Sequence, residues 1–211
     1  MKKILATFTL MLLAMSAINV NAQHIDLTEE QKDEMGHRVK QKLEAFLLNL
    51  SYVANGDREV QDEATKATLA LFIGKGGPYT MYDAYDNPTP SNGVTMQTAS
   101  TRKNRYGKPT YNRPVLMTRY LNNLRGLPYS KVEITQVGAI RVDNINKVGD
   151  GRYQAIAHFC QDFSGYRDGQ LIYHDRTTKS VKIYVEWIDD GGAGTWQVLL
   201  GDMRVESISK K

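Results

Sequence analysis

The chain has 211 residues, a length that fits one domain. Hydrophobic residues make up 41% and charged residues 24%, a globular mix that excludes global disorder. The net charge of +4 is too small to indicate a nucleic-acid partner. A single cysteine excludes a disulfide framework or a multi-cysteine metal site built by this chain alone, and the four histidines have no paired ligand spacing. We therefore predict no metal and no cofactor.

Residues 1–22 have the pattern of a secretory signal peptide. A lysine pair begins the segment, residues 4–18 are almost wholly apolar, and Ala22 precedes the predicted cleavage site. The apolar part is short for a transmembrane helix, which is the alternative interpretation, and no cysteine follows it to carry a lipid. We expect residues 23–211 to be one exported domain, periplasmic or extracellular, without a transmembrane span or a lipid anchor.

Two amphipathic helices are predicted next. Thr28 and Gln31 have the spacing of a capping box, and apolar residues then recur at intervals of three and four until Gly56. Asp57 is the expected N-cap of a second helix that stops at Gly74. Each helix has one apolar stripe and therefore needs a sheet to cover.

Residues 74–114 predict a long loop, because they hold five of the six prolines and five of the twelve tyrosines. Residues 94–100 have the composition of a short strand. Basic and aromatic side chains alternate in the second half of this loop and suit a phosphate, a glycan or an acidic partner. The candidate ligand-binding residues are Arg102, Arg105, Tyr106, Tyr111 and Arg113. A solvated loop without a ligand is the alternative.

Pro114 predicts the start of a third helix, which ends at Gly126. Beyond this helix the apolar period changes from about 3.6 to 2, the period of strands. Residues 189–194 are rich in glycine and predict the loop of a hairpin. Helices followed by strands indicate an α+β fold, with N-terminal helices packed on a C-terminal antiparallel sheet.

The element order and three short stretches resemble a known superfold. The stretches are residues 70–73, 165–169 and 173–179. They resemble small secreted bacterial members of the nuclear-transport-factor-like, ketosteroid-isomerase-like superfold, and the resemblance extends over residues 28–208. It implies a strongly curved, cone-shaped sheet around the helices. Isomerases, dehydratases, hydrolases and binding modules share this scaffold, so the resemblance implies no single activity.

Polar residues within the apolar strands are the candidate catalytic groups, because burying an unpaired polar group costs ~1–3 kcal/mol. His158 and Asp162 share one face of a predicted strand, and Tyr184 lies on a later strand. A histidine, a carboxylate and a tyrosine donor have the chemistry for proton abstraction beside a carbonyl. The alternative is that His158 makes one structural hydrogen bond or faces water.

Two turns are predicted between the late strands. Asp168 and Gly169 are a turn signal, and Asp175 with Thr177 and Thr178 predicts the cap or closure of the next turn. A calcium loop is the alternative for these acidic residues, but their spacing matches no EF-hand pattern.

Because no nucleophile–base constellation is evident, we expect a non-catalytic binding or interaction module of the bacterial cell envelope. The expected partner is a small molecule, a glycan or an envelope protein. Two alternatives remain open. One is a small isomerase, dehydratase or hydrolase with His158 as its base, and the other is a homodimeric assembly subunit.

Overall fold

The structure is a computed structural model that describes residues 25–83, 85–189, 191 and 194–210; of residues 101, 102, 109 and 210 it describes the backbone alone. The predicted signal peptide, residues 1–22, lies outside the described residues. No helix in the described part of the chain is long and apolar enough to cross a membrane.

The first two helices begin where their capping residues predict. Helix α1 is Glu29–Asn55, and the side chains of Thr28 and Gln31 each accept a hydrogen bond from the other's backbone N–H. Helix α2 is Arg58–Ala70, with Asp57 as its N-cap. Helix α2 ends four residues before Gly74, so the predicted end of this helix was too late.

Short strands replace the long loop that was predicted for residues 74–114. Strands β1 (Tyr79–Tyr82) and β2 (Pro88–Ser91) form one hairpin. Strands β4 (Ala99–Lys103) and β5 (Pro109–Tyr111) form another, and β3 (Thr95–Met96) joins the main sheet. Pro88, Pro90 and Pro109 lie in strands with only one partner, where the missing N–H donor is tolerated.

The third helix, α3 (Met117–Arg125), starts later than Pro114 predicts. The two residues before it form strand β6 (Val115–Leu116), which pairs with β3. In addition, the backbone N–H of Met117 donates to the carbonyl oxygen of Val94 at 2.8 Å. These bonds to the sheet keep residues 115 and 116 extended, so the helix begins only at Met117.

The remaining strands are β7 (Lys131–Val142), β8 (Asn146–Gly149), β9 (Arg152–Arg167), β10 (Gln170–Ile188) and β11 (Thr195–Lys210). In the described part of the chain the main sheet has seven strands in the order β6, β3, β11, β10, β9, β7, with β8 beside β9. All its pairings are antiparallel except that of β11 with β3. The predicted α+β class is therefore confirmed.

One face of this sheet, the inner face, is covered by the helices. Helix α1 packs on β7 and β11 and also contacts α2 and α3. Alternate residues of β9 from Tyr153 to Phe159 are buried on the inner face, as are Val181, Ile183 and Val185 of β10. The intervening residues lie on the opposite, outer face.

The turn at Asp168 and Gly169 is confirmed, since it joins β9 to β10 and both residues have positive φ. The turn predicted at Asp175, Thr177 and Thr178 is wrong. These residues lie within β10 and pair with β9 on one side and with β11 on the other. Hydrogen bonds to two neighbouring strands keep the segment extended despite its turn-forming residues.

Candidate functional site

A cleft lies between helix α3 and the inner face of β9 and β10. Its volume is about 440 Å³. Residues from β4 to β6, among them Asn112 and Arg113, also line the cleft. Small-molecule sites usually have volumes of about 300–1,000 Å³, so the cleft is large enough for a small ligand.

The floor of the cleft is a row of polar side chains on β10. Asp175, Thr177 and Lys179 are two residues apart, so they share the inner face, and they are only 6%, 2% and 3% exposed. Gln161 of β9 lies opposite Thr177 in the register and is 3% exposed. Polar groups buried this deeply are usually hydrogen-bonded or placed for function. We call Asp175, Thr177, Lys179 and Gln161 the polar floor.

Lys179 is the buried cation of the polar floor. Its Nζ atom donates a hydrogen bond to Oε1 of Gln161 at 3.2 Å, and no carboxylate in the described part of the chain forms an ion pair with it. Burial lowers the pKa of Lys179 to about 8, an effect that the charge of Asp175 partly opposes. An appreciable fraction of the side chain is therefore a neutral amine near physiological pH.

Two tyrosine hydroxyls belong to the same site. The Tyr173 hydroxyl donates a hydrogen bond to Oδ2 of Asp175. Burial, followed by this hydrogen bond, raises the pKa of Tyr173, and burial likewise raises the pKa of Tyr120 on α3. Both hydroxyls therefore keep their protons at physiological pH, and that of Tyr173 is donated to Asp175.

The hydroxyl of Thr177 is the unsatisfied group of the polar floor. Its Oγ1 atom is buried and has no hydrogen-bond partner among the residues that the structure describes. The residue lies between Asp175 and Lys179 and lines the cleft. An unpaired buried hydroxyl destabilises a protein by about 1–3 kcal/mol, and a ligand atom hydrogen-bonded to Thr177 would remove this penalty.

Aromatic rings form one wall of the cleft. The ring centroid of Phe163 is 6.2 Å from that of Tyr129 and 5.9 Å from that of Tyr173. Tyr129 packs directly over Gly165, where a β-carbon would come within 2.7 Å of the ring. The glycine therefore allows the ring to lie against the strand. The other apolar lining residues are Val115, Leu124 and Leu127.

The structure does not bring the three predicted catalytic residues together, and none of them lines the cleft. His158 lies on the outer face, with Nε2 at 3.2 Å from Oδ2 of Asp143 and Nδ1 at 2.9 Å from Oε1 of Glu206. Asp162 is four residues further along β9, about 13 Å away along the backbone. It accepts two hydrogen bonds from the guanidinium of Arg176, at 2.6 and 2.7 Å.

Tyr184 lies on the outer face of β10, opposite Gln154. Its hydroxyl donates to the sulfur of Met81 at 3.0 Å, and burial raises its pKa. Each of the three residues therefore has a separate structural partner. A shared proton-transfer site, as the sequence pattern suggested, would need contacts that this structure does not show.

The predicted ligand-binding residues lie in two places. Arg113 lines the cleft. Arg105 and Tyr106 are exposed at the turn of the β4–β5 hairpin, where the guanidinium carbon is 4.7 Å from the ring centroid. The Tyr111 hydroxyl donates to the carbonyl oxygen of Glu206 at 3.1 Å. The side chain of Arg102 lies outside the described part of the structure.

A second hollow, of about 540 Å³, lies between α1 and the connection from β7 to β8. Apart from Ile145, its lining side chains are exposed or half-exposed, and many are charged. Such a surface is well solvated and contains no buried polar group that needs a partner. Among the described residues, no group of three or more His, Cys, Asp and Glu side chains is placed to hold a metal ion.

The sequence contains one pattern that predicts the polar floor. Interpreting Asp175, Thr177 and Thr178 as turn residues excluded that pattern. Tyr173, Asp175, Thr177 and Lys179 continue, at the same spacing of two, the buried alternation that begins at Val181. Extending that alternation toward the N-terminus places all four side chains on the inner face. Gln161 follows Phe159 on the neighbouring strand by the same rule.

No family model matches the chain, and neither a curated protein nor a solved structure is significantly similar to it.

Proposed function

We propose that the chain is an exported binding module that holds a small molecule in the cleft over the polar floor. The ligand has an apolar body, of about the size of one or two rings, and a head group with an oxygen that accepts hydrogen bonds. The body contacts the aromatic wall of Tyr129, Phe163 and Tyr173. The oxygen accepts hydrogen bonds from Lys179 and Thr177.

The observation that carries this proposal is the unsatisfied polar floor beneath an otherwise apolar cleft. In the described part of the chain, Lys179 has one neutral hydrogen-bond partner and the Thr177 hydroxyl has none. Ligand pockets typically combine apolar walls with a few convergent polar groups that orient the ligand. The unsatisfied donors on one strand face fit this pattern, whereas a purely structural core would pair or exclude them.

The charge distribution around the cleft favours an electron-rich head group. Between residues 87 and 132 the chain has eight Lys or Arg residues and no Asp or Glu. This segment contains Arg113 at the cleft and the exposed Arg119 of α3. Clustered positive charge attracts anionic or polarised oxygen groups over several ångströms.

We also keep the nuclear-transport-factor-like relationship, with its strongly curved, cone-shaped sheet, as part of this proposal. The supporting feature is the arrangement of helices on one face of an antiparallel sheet, with the cleft between them. An experimental structure would test the curvature directly. The ligand proposal does not depend on this relationship, because it rests on the polar floor alone.

The test uses 2-naphthoate, which has a two-ring body and a carboxylate head, in isothermal titration calorimetry. We expect it to bind the wild-type protein, and we expect Lys179→Met to weaken the affinity by about tenfold or more, since a hydrogen bond to a charged group contributes about 1.5–3 kcal/mol. Lys182→Met is the matched control, because Lys182 lies on the same strand but is exposed. Absence of binding, or equal losses in the two variants, would reject the proposal.

A further inference from the structure

The polar floor contains a buried primary amine that forms no ion pair within the described part of the chain, and we propose that Lys179 forms a reversible imine with an aldehyde or ketone ligand. This inference rests on the proposed function, since it needs the ligand to occupy the same cleft. The proposed function requires only that the ligand's head group has an oxygen that accepts hydrogen bonds. This inference specifies that the head group is the carbonyl of an aldehyde or ketone. The binding module would then hold its ligand by a covalent bond that water can reverse.

The surroundings of Lys179 favour an amine that reacts. The side chain is 3% exposed, and its one hydrogen bond is to a neutral amide oxygen at 3.2 Å. A carboxylate in contact would stabilise the ammonium ion. Among the described residues no carboxylate forms an ion pair with Lys179, and the charge of Asp175, four residues away on the same strand, opposes the effect of burial only in part. Desolvation without a paired charge favours the neutral amine, which is the nucleophilic form.

The reaction needs no oxidant, reductant or further reactant. The nitrogen lone pair of Lys179 attacks the carbonyl carbon, and the electron pair of the C=O π bond moves to the oxygen. A proton passes from nitrogen to oxygen to give a carbinolamine. The C–O bond then breaks as a C=N bond forms. The oxygen takes up a second proton and leaves as water, the protonated imine releases its N–H proton so that no net proton is consumed, and the reverse sequence releases the ligand.

Thr177 is placed to act as a positioning residue in this sequence. No described residue is hydrogen-bonded to its hydroxyl, and Thr177 lies two residues from Lys179 on the same strand face, about 7 Å along the backbone. The lysine side chain is long enough to extend over its neighbour. The Thr177 hydroxyl can therefore donate a hydrogen bond to the carbonyl oxygen during attack and to the carbinolamine oxygen afterwards.

The aromatic wall indicates which carbonyl compounds fit best. Phe163 and its two neighbouring rings offer edges and faces to a planar body, and the volume of about 440 Å³ exceeds that of a single benzene ring with its substituent. An aromatic aldehyde would place its ring against this wall. Its carbonyl carbon would then lie over the polar floor.

The experiment is reductive trapping. The protein is incubated near neutral pH with limiting benzaldehyde and sodium cyanoborohydride, which reduces an imine to a stable benzyl amine, and the modified lysines are identified by peptide mapping. We expect Lys179 to be labelled about tenfold faster than the exposed Lys182, because the cleft raises the local concentration of the aldehyde. We expect 2-naphthoate to protect Lys179 and not Lys182.

Two further measurements separate this inference from simple exposure. Thr177→Val should slow the labelling of Lys179 severalfold while leaving the labelling of Lys182 unchanged. The labelling rate of Lys179 should also fall on acidification, as the amine is protonated. The other charged or titratable residues that line the cleft with it are Asp175, Tyr173, Tyr120, Tyr129 and Arg113.

The outcomes distinguish the two proposals. If 2-naphthoate binds the wild-type protein but Lys179 is labelled no faster than Lys182, the imine inference is wrong and the binding site stands. If 2-naphthoate fails to bind and fails to protect Lys179, the proposed function itself is wrong. If Thr177→Val leaves the labelling rate of Lys179 unchanged, Thr177 does not take part in the reaction.

Discussion

The ammonium group of Lys179 on β10 and the amide oxygen of Gln161 on β9 are joined by a hydrogen bond of 3.2 Å beneath the cleft. Both residues are 3% exposed. The pair has one formal charge, so the desolvation of that charge is not balanced by an opposite charge in contact. This imbalance is the main physical reason to regard the cleft as a binding site.

The first prediction concerns the pH dependence of stability. The pKa of Lys179 is about 8 in the folded protein, against 10.5 for an unperturbed lysine. Between these values unfolding takes up a proton, so the wild-type protein becomes more stable relative to Lys179→Met as the pH rises from about 8 to about 10. The full effect corresponds to about 3 kcal/mol in the free energy of unfolding.

Urea unfolding of both proteins across this pH range measures the effect. Each variant is compared with the wild-type protein by the difference between their free energies of unfolding. This difference removes the contribution of the tyrosines with raised pKa values, which lower stability above about pH 10 in all variants. For Lys182→Met, the difference in the free energy of unfolding from the wild-type protein should not change with pH. A constant difference for Lys179→Met as well would mean that Lys179 is not desolvated.

The second prediction concerns Thr177. Thr177→Val keeps the shape of the side chain and removes the unpaired hydroxyl, so we expect the free energy of unfolding to stay the same or rise by up to about 1 kcal/mol. The same variant should bind 2-naphthoate severalfold more weakly. Thr178→Val, on the outer face, is the control and should leave the affinity unchanged. A clear loss of stability in Thr177→Val would show that its hydroxyl has a partner in the protein.

The third prediction separates two arginines that the sequence grouped together. Arg113 lines the cleft, whereas Arg105 is exposed at the hairpin turn. We expect Arg113→Gln to weaken 2-naphthoate binding by about threefold, the scale of an exposed charge interaction, and Arg105→Gln to have a smaller effect. Calorimetry at low salt measures both. Equal effects would indicate that only the net charge of this region matters.

The fourth prediction tests the catalytic alternative. His158 contacts Asp143 and Glu206 on the outer face, away from the cleft. We therefore expect His158→Ala to leave the affinity for 2-naphthoate within about twofold of the wild-type value, while removal of these exposed contacts lowers stability by less than about 1 kcal/mol. A large loss of binding would restore His158 as a site residue. Lys179→Met provides the comparison within the cleft.

The fifth prediction concerns the contact between helix α1 and strand β7. The Asn55 side chain donates to the carbonyl oxygen of Val132 and accepts from its N–H, both at 2.7 Å. We expect Asn55→Ala to lower the free energy of unfolding by about 1.5 kcal/mol, because both bonds to the strand are lost together with the bond that the same amide donates to the carbonyl oxygen of Ser51. Asn122→Ala, at an exposed position of α3, should change it by less than about 0.5 kcal/mol. Thermal unfolding of both variants gives this comparison.

Local signals in the sequence predicted local structure well. The hydrogen bonds that Thr28 and Gln31 exchange involve residues three apart, so the capping box depends only on neighbouring positions. The turn at Asp168 and Gly169 is local for the same reason. The start of α3 was less predictable, because residues 115 and 116 are held by pairing with β3, about twenty residues earlier in the chain.

The candidate site was hidden by a choice between two patterns. Asp175 and Thr177 are typical turn residues, and they also occupy alternate positions of a long strand. Pairing with β9 and β11 selects the strand. Only after that selection do Asp175, Thr177 and Lys179 share one face.

The sequence by itself determined the α+β class, the helix caps and the alternation along the late strands, because these depend on residues close together in the chain. The tertiary structure decided which face of the sheet is covered. An alternating pattern assigns residues to the two faces of a strand, but it does not tell what covers each face. By this pattern alone, His158 and Lys179 are both polar residues within an apolar strand. The packing of the helices leaves His158 on the outer face and buries Lys179 in the cleft.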